Sequence, residues 1–315
     1  MRNYIISIDL GGTNTRIMLL DNNLKILSRK CFSTKNFPAR GKLIAEIAML
    51  VRSLMAGSNI SRSQILGLGI GVPGPVDYPK GKVHYLPNIA GWQDTPLKKI
   101  LEKRIGVKVF VDNDVNLMAL AEAKLGAAKG ARNAICLTLG TGVGGGLVLD
   151  GSLFRGANFC AGEIGHMPIS IDGPSCNCGG KGCLERYVGN AFVLREAKDK
   201  LRMKNITLEK LSELAEGGNK VALGIYNSFA EKIGIALAGV VNLLNPQVIV
   251  IGGGLSFAGG FIFRKIKDTI DNRAMPIQAK SVVVKKAILG KDAGLMGAAL
   301  LVKENALRKN TKNKC

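Results

Sequence analysis

Two stretches of this chain follow one plan, and that repetition limits its fold more than any other feature. Residues 4 to 20 hold an apolar run, the turn Asp9-Leu10-Gly11-Gly12-Thr13, and a second apolar run. Residues 134 to 150 hold an apolar run, a turn around Gly140-Thr141-Gly142, and another apolar run. Two short apolar runs around a tight polar turn are the pattern of a β-hairpin. A whole hairpin used twice predicts two lobes of like topology, each carrying one turn, facing each other across a cleft. Glycines reach backbone conformations closed to other residues and bring main-chain N–H groups close to a ligand. Each turn therefore reads as a phosphate cradle, with Thr13 adding a hydroxyl donor. Asp9, at a strand end, is placed to hold a hydrated Mg²⁺. Taken singly, either turn could be an ordinary hairpin bend; the duplication speaks against that.

Residues Gly140 to Gly145 formally match G-x-G-x-x-G. That fingerprint must open a helix. Here Leu147-Val148-Leu149 predicts a second strand, which excludes the dinucleotide reading. No G-x-x-x-x-G-K-[ST] occurs, so a P-loop is excluded as well. A third cluster, Gly252-Gly253-Gly254, follows the apolar run Val248 to Ile251. It is either a plain strand-to-loop turn or a flat backbone on which adenosine can lie.

Between residues 163 and 185 the spacing is His-x9-Cys-x-Cys-x4-Cys, from His166, Cys176, Cys178 and Cys183. One imidazole and three thiolates make a full tetrahedral set for Zn²⁺. Four protein ligands close the site, so the metal is expected to shape a loop and not to activate water. A redox pair is the weaker alternative, because one residue and not two separates Cys176 from Cys178. Glu163 and Glu185 bracket the cluster, which a purely structural knuckle would not need.

The buried strand Val107 to Val111 leads into Asp112-Asn113-Asp114 and an amphipathic helix from about Val115 to Leu125. Ligand groups in α/β folds gather at strand C-terminal ends. A carboxylate there can accept a hydroxyl proton as the oxygen attacks phosphorus. Asp and Asn also favour helix caps. Both roles fit together with Asp112 or Asn113 as cap and Asp114 as base. Asn88, in the loop Leu86-Pro87-Asn88, both donates and accepts, which suits sugar hydroxyls. Trp92 is expected to pack in the core, and His84 to be a loop histidine.

The chain has 315 residues, is 47% hydrophobic and carries 40 glycines, which suits a two-lobed α/β protein. Of seven cysteines, Cys31, Cys136, Cys160 and Cys315 are scattered. That pattern fits a reduced cytoplasmic protein better than a disulfide framework. Asp9 interrupts the first apolar run too early for a signal peptide. The longest apolar stretch, Ile233 to Ile251, is broken by Asn242, Asn245, Pro246 and Gln247 and predicts a buried helix then a strand, not a membrane span. The net charge is +21 with only 5% aromatics, and the basic residues are spread along the chain. Nucleic acid is therefore not expected as a partner; a lysine-rich composition accounts for the charge, with modest attraction of anionic nucleotide.

Together these residues resemble the ROK family of sugar kinases and sugar-responsive repressors. The resemblance runs through Asp9 to Thr13, Leu86 to Asn88, Asn113-Asp114, Leu139 to Gly142, Glu163-x-Gly165-His166, the cysteine cluster with Glu185, and Gly252 to Gly254. It implies a two-lobed actin-like ATPase (ribonuclease H-like) fold with duplicated βββαβα-type lobes and an interlobe cleft. The small lobe would span 1–115 plus about 291–305, the large lobe 116–290 with a zinc-binding loop at 166–183, and 306–315 would be a frayed basic tail. It also implies ATP, Mg²⁺ and structural Zn²⁺. The nucleotide would touch Asp9, Gly11, Gly12, Thr13, Gly140, Thr141, Gly142, Gly253 and Gly254. Asp114 would be the base toward a hexose 6-hydroxyl, with Asn88, Asn113, Asp114, Glu163, His166 and Glu185 around the sugar. His166 would turn one ring nitrogen to zinc and the other to the sugar. The loops after Leu86 and Ala161 are most similar to glucose-phosphorylating members; fructose, mannose, N-acetylglucosamine and N-acetylmannosamine are the alternatives. Family repressors carry a helix-turn-helix domain ahead of the core, and only three residues precede Tyr4, so an enzyme is expected over a repressor. A catalytically silent sugar sensor is the other class, which Asp9 and Asp114 speak against. A homodimer or homotetramer is expected.

Overall fold

The computed structural model describes residues 3–87, 89–254 and 259–312. The chain forms two compact units. The first comprises Met1–Ala121, Arg155–Ala161 and Lys291–Cys315; the second comprises Glu122–Phe154 and Gly162–Gly290.

In the first unit, strands β1 (Tyr4–Leu10), β2 (Asn14–Asp21) and β3 (Ile26–Ser33) form an antiparallel meander. Helix α1 (Arg40–Gly57) leads to β4 (Ile65–Val72), which pairs parallel with β1. The short strands β5 (Val76–Asp77) and β6 (Lys82–Val83) and helix α2 (Leu97–Ile105) lead to β7 (Val109–Asn113), parallel to β4. The sheet order is β3-β2-β1-β4-β7. Alternate residues of β1 serve two cores, because side chains alternate across a strand. Ile6 and Ile8 join α1 residues such as Leu43 and Ile47, while Ile5 packs with Leu295, Ala299 and Val302 of the C-terminal helix. Both sheet faces are covered, so β1 reads as one apolar run. Trp92 lies in the first of these cores.

After β7 the chain enters α3 (Asp114–Lys124) and passes into the second unit. There β8 (Ala134–Leu139), β9 (Val143–Leu149) and β10 (Ser152–Phe154) again make an antiparallel meander. Helices α4 (Glu185–Val188), α5 (Asn190–Leu201), α6 (Leu208–Glu216) and α7 (Lys220–Leu244) lead to β11 (Val248–Gly252), parallel to β8. Helices α8 (Gly260–Arg273) and α9 (Pro276–Ser281) lead to β12 (Val283–Lys286), parallel to β11. The order is β10-β9-β8-β11-β12, the plan of the first sheet repeated. This duplication is that of the actin-like ATPase fold. Helix α10 (Ala293–Lys312) returns to the first unit against β1 and β4. It continues through Ala306 to Lys312, where the sequence suggested a frayed tail. Ala306 and Leu307 are strong helix formers, which supports that extension.

The apolar stretch Ile233 to Ile251 resolves as expected. Helix α7 ends where Asn245 takes a left-handed turn (φ 44°), Pro246 follows, and β11 begins at Val248. A residue before proline disfavours helix, which enforces the break. No helix among the described residues is long and apolar enough to cross a membrane. The carboxylate of Glu122, fully buried at the end of α3, accepts hydrogen bonds from the N–H groups of Ala127 (2.7 Å), Ile288 (3.1 Å) and Leu289 (3.0 Å). It staples the loop after β12 to the start of the second unit, and its burial is compensated by those donors.

Candidate active site

The first unit carries one group of candidate residues. The β1–β2 turn is held by the residue just after β3: Thr34 Oγ1 donates to the Gly11 carbonyl at 2.8 Å, and the Thr34 N–H to the Thr13 carbonyl at 2.9 Å. These bonds fix the orientation of the peptides from Gly11 to Thr13. Asp9, next to last in β1, lies 4.0 Å from Arg16 and faces Gly294 at the start of α10. Burial raises the Asp9 carboxyl above the ordinary carboxylate range, and Arg16 opposes that shift. A bound cation would favour the ionised form further.

Asp114 opens α3 directly after β7. Asn113 is the cap: its Oδ1 accepts from the N–H groups of Val115 (2.9 Å) and Asn116 (3.2 Å), while its Nδ2 donates to the Gly74 carbonyl at 3.2 Å. Of the two capping candidates in the sequence, only Asn113 acts so. Asp112 has another task. Its Oδ2 accepts from Arg155 Nε (2.9 Å) and a terminal nitrogen (2.6 Å), and its Oδ1 from the Asn113 N–H and Asn116 Nδ2. Arg155 also lies over the Tyr78 ring, 3.9 Å from its centroid. This forked pair, 2% exposed on the Asp112 side, anchors the turn that presents Asp114. The sequence reading missed Arg155: it stands 43 positions from Asp112 with no local signal. Asn88, the remaining candidate of this unit, lies outside the described residues.

The second unit carries the rest. In the β8–β9 turn the Gly140 N–H donates to the Gly142 carbonyl at 3.0 Å. Gly253 follows β11 with φ +90°, and a Cβ there would overlap the Leu139 main chain, so the third glycine cluster lies against the first turn residue's strand. A Cβ on Gly254 beside it would meet no atom of the described residues within 4 Å.

The imidazole and three thiols converge: the ligand atoms of His166, Cys176, Cys178 and Cys183 all lie within 4.8 Å of one another. His166 Nδ1 is 3.6 Å from Cys176 Sγ, and Cys178 Sγ is 3.6 Å from Cys183 Sγ. A tetrahedron with Zn–S bonds of ~2.3 Å has S···S edges of about 3.8 Å, so the cluster fits zinc. Burial pushes the Cys183 thiol up to about 12, while the Gly180 N–H holds Cys178 below its usual range. A metal bound by these thiols would displace their protons. His166 Nε2 points the other way, 3.9 Å from the Glu163 carboxylate. One imidazole thus has one nitrogen toward the sulfurs and one available to a second partner. Cys178→Ser is expected to reduce zinc content well below about one equivalent per chain, measured by mass spectrometry of metals; full zinc retention would remove Cys178 from the ligand set.

A profile of the ROK family matches residues 5–305. The chain is 34% identical to the glucokinase of Halalkalibacterium halodurans, covering 97% of each. It is 30% identical to the xylose repressor of Caldicellulosiruptor bescii, covering 95% of this chain and 77% of the repressor. The crystal structure of a ROK family glucokinase from Streptomyces griseus in complex with glucose and AMPPNP is similar with a TM-score of 0.81 and 31% identity, over 96% of this chain and 99% of that one. Through its duplicated sheets, its cysteine cluster and these matches, the chain belongs to the ROK family.

Proposed function

We propose that this protein is an ATP-dependent hexose kinase that transfers the γ-phosphoryl group to the 6-hydroxyl of glucose. The observation that carries the reading is the near full-length similarity to glucokinases, in a chain that keeps a carboxylate at the head of α3. The hydroxyl proton passes to Asp114 as the oxygen forms a bond to the γ-phosphorus; the bond to the β–γ bridging oxygen breaks, and ADP leaves. Peptides Gly11 to Thr13 and Gly140 to Gly142 hold phosphate oxygens, and Gly253 and Gly254 accept the adenosine. Asp9 would hold Mg²⁺, whose positive charge would offset that of the phosphates. Asn88, Asn113, Glu163, His166 and Glu185 orient the sugar. His166 and the three cysteines would hold zinc, and a His166 ring nitrogen bound to it would leave the second nitrogen in one tautomeric state. A homodimer or homotetramer and a cytoplasmic location complete the proposal.

A panel of hexoses with Mg²⁺-ATP tests this. Glucose is expected to give the highest kcat/KM, with fructose, mannose, N-acetylglucosamine and N-acetylmannosamine lower. Preference for another hexose changes the substrate and keeps the class. Tight sugar binding with no ADP release would favour the sensor reading that the repressor relative suggests.

A further inference from the structure

The metal loop and the β8–β9 turn are joined by direct contacts within the second unit. The Val143 N–H donates to Glu185 Oε2 at 2.9 Å. The same oxygen lies where a Cβ on Gly142 would stand, so only glycine at that position lets the carboxylate approach. Five residues on, the Asn190 N–H donates to the Gly140 carbonyl at 2.9 Å, and Gly189 sits against the Thr141 carbonyl. The other end of the loop meets the same strand, because a Cβ on Gly165 would overlap the Val143 carbonyl. The two loop ends are tied to each other by the Leu184 N–H to the Met167 carbonyl (2.9 Å) and by a bridge between Pro168 and Cys183. Cys183 is a ligand of the cluster, and Leu184 alone separates it from Glu185.

We infer that Glu185 is a positioning residue for the nucleotide: held in place by the metal loop, it fixes the Gly140–Val143 turn through the Val143 N–H. The turn has few restraints of its own, since two of its four residues are glycines. A carboxylate accepting a main-chain N–H is a charge-assisted bond and orders the peptide it holds. Zinc thereby bears on the phosphate side of the reaction as well as on the sugar side. The inference rests on the kinase reading above, in which this turn holds phosphate.

The test is AMPPNP affinity without sugar, by calorimetry, together with hydrogen exchange of the Val143 amide. In the zinc-loaded wild type that amide is expected to be protected. Glu185→Ala should expose it and weaken AMPPNP binding roughly tenfold or more, the effect of losing one hydrogen bond to a charged group. Glu185→Gln keeps an acceptor oxygen and should restore most of both. Gly142→Ala, which displaces the carboxylate without removing it, should behave like Glu185→Ala. Stripping zinc with a chelator should speed Val143 exchange in the wild type. Unchanged exchange and affinity in Glu185→Ala, or unchanged exchange on zinc removal, overturns the inference. If the wild type binds no AMPPNP, the kinase reading fails, while the exchange data still decide whether Glu185 holds the turn.

Discussion

Asp114→Asn is expected to lower kcat for glucose by about 10²–10⁴-fold, the usual contribution of a general base, while KM for glucose changes little. The substitution is close to isosteric. Asparagine keeps an oxygen that can accept from the Val115 N–H, as Asp114 Oδ1 does at 2.9 Å. The cap itself belongs to Asn113, whose bonds to Val115 and Asn116 are untouched. Fold and sugar contacts are therefore retained, and what is lost is the capacity to take a proton. A loss confined to kcat is the signature of an interaction made only in the transition state. Initial rates across glucose concentrations, with glucose binding measured separately, check this. Full activity in the variant would remove Asp114 from the chemistry.

The largest expected effect on stability comes from Arg155→Met. It leaves the Asp112 carboxylate buried without its cation, a change that typically costs about 3–5 kcal/mol. The side chains of Arg155 and Asp112 are 15% and 2% exposed, so solvent cannot replace the lost partner. The stacking of Arg155 on Tyr78 goes as well. Lysine is a poor substitute, since it offers a point charge where Asp112 receives a two-pronged donor. Arg155→Met combined with Asp112→Asn removes both charges and should recover part of the loss. Denaturant unfolding of the four proteins in this cycle measures the coupling. A single Arg155→Met variant as stable as wild type, or a double variant with purely additive losses, would show that the pair is not what secures the start of α3.

The repeated hairpins were legible because their cue is local: an apolar run, a glycine turn and another apolar run, all within 17 residues in each copy. Helix α7 and β11 were legible for the same reason, as Asn245 and Pro246 mark the break. The convergence of His166 with the three cysteines could be read because the cysteines fall within eight consecutive residues. The partnerships that position the candidate residues were not legible. Val143 and Glu185 are 42 positions apart, Asp112 and Arg155 are 43, and Glu122 and Ile288 are 166. Each joins ordinary residue types whose pairing appears only after the sheets have formed. Asp112 is instructive: its sequence setting suits a cap, and burial beside an arginine gave it a different use.

The stretch Arg155–Ala161 leaves and rejoins the second unit at Phe154 and Gly162, yet belongs to the first, as does the terminal helix. The backbone therefore passes from one body to the other at four points. No single cut can release either half as a continuous piece. A cut near Ala121 would strand Arg155–Ala161 and the terminal helix on the piece that carries the second unit, so truncation is a poor route to an isolated first module, and domain exchange with a relative would have to transplant all the segments of a body together.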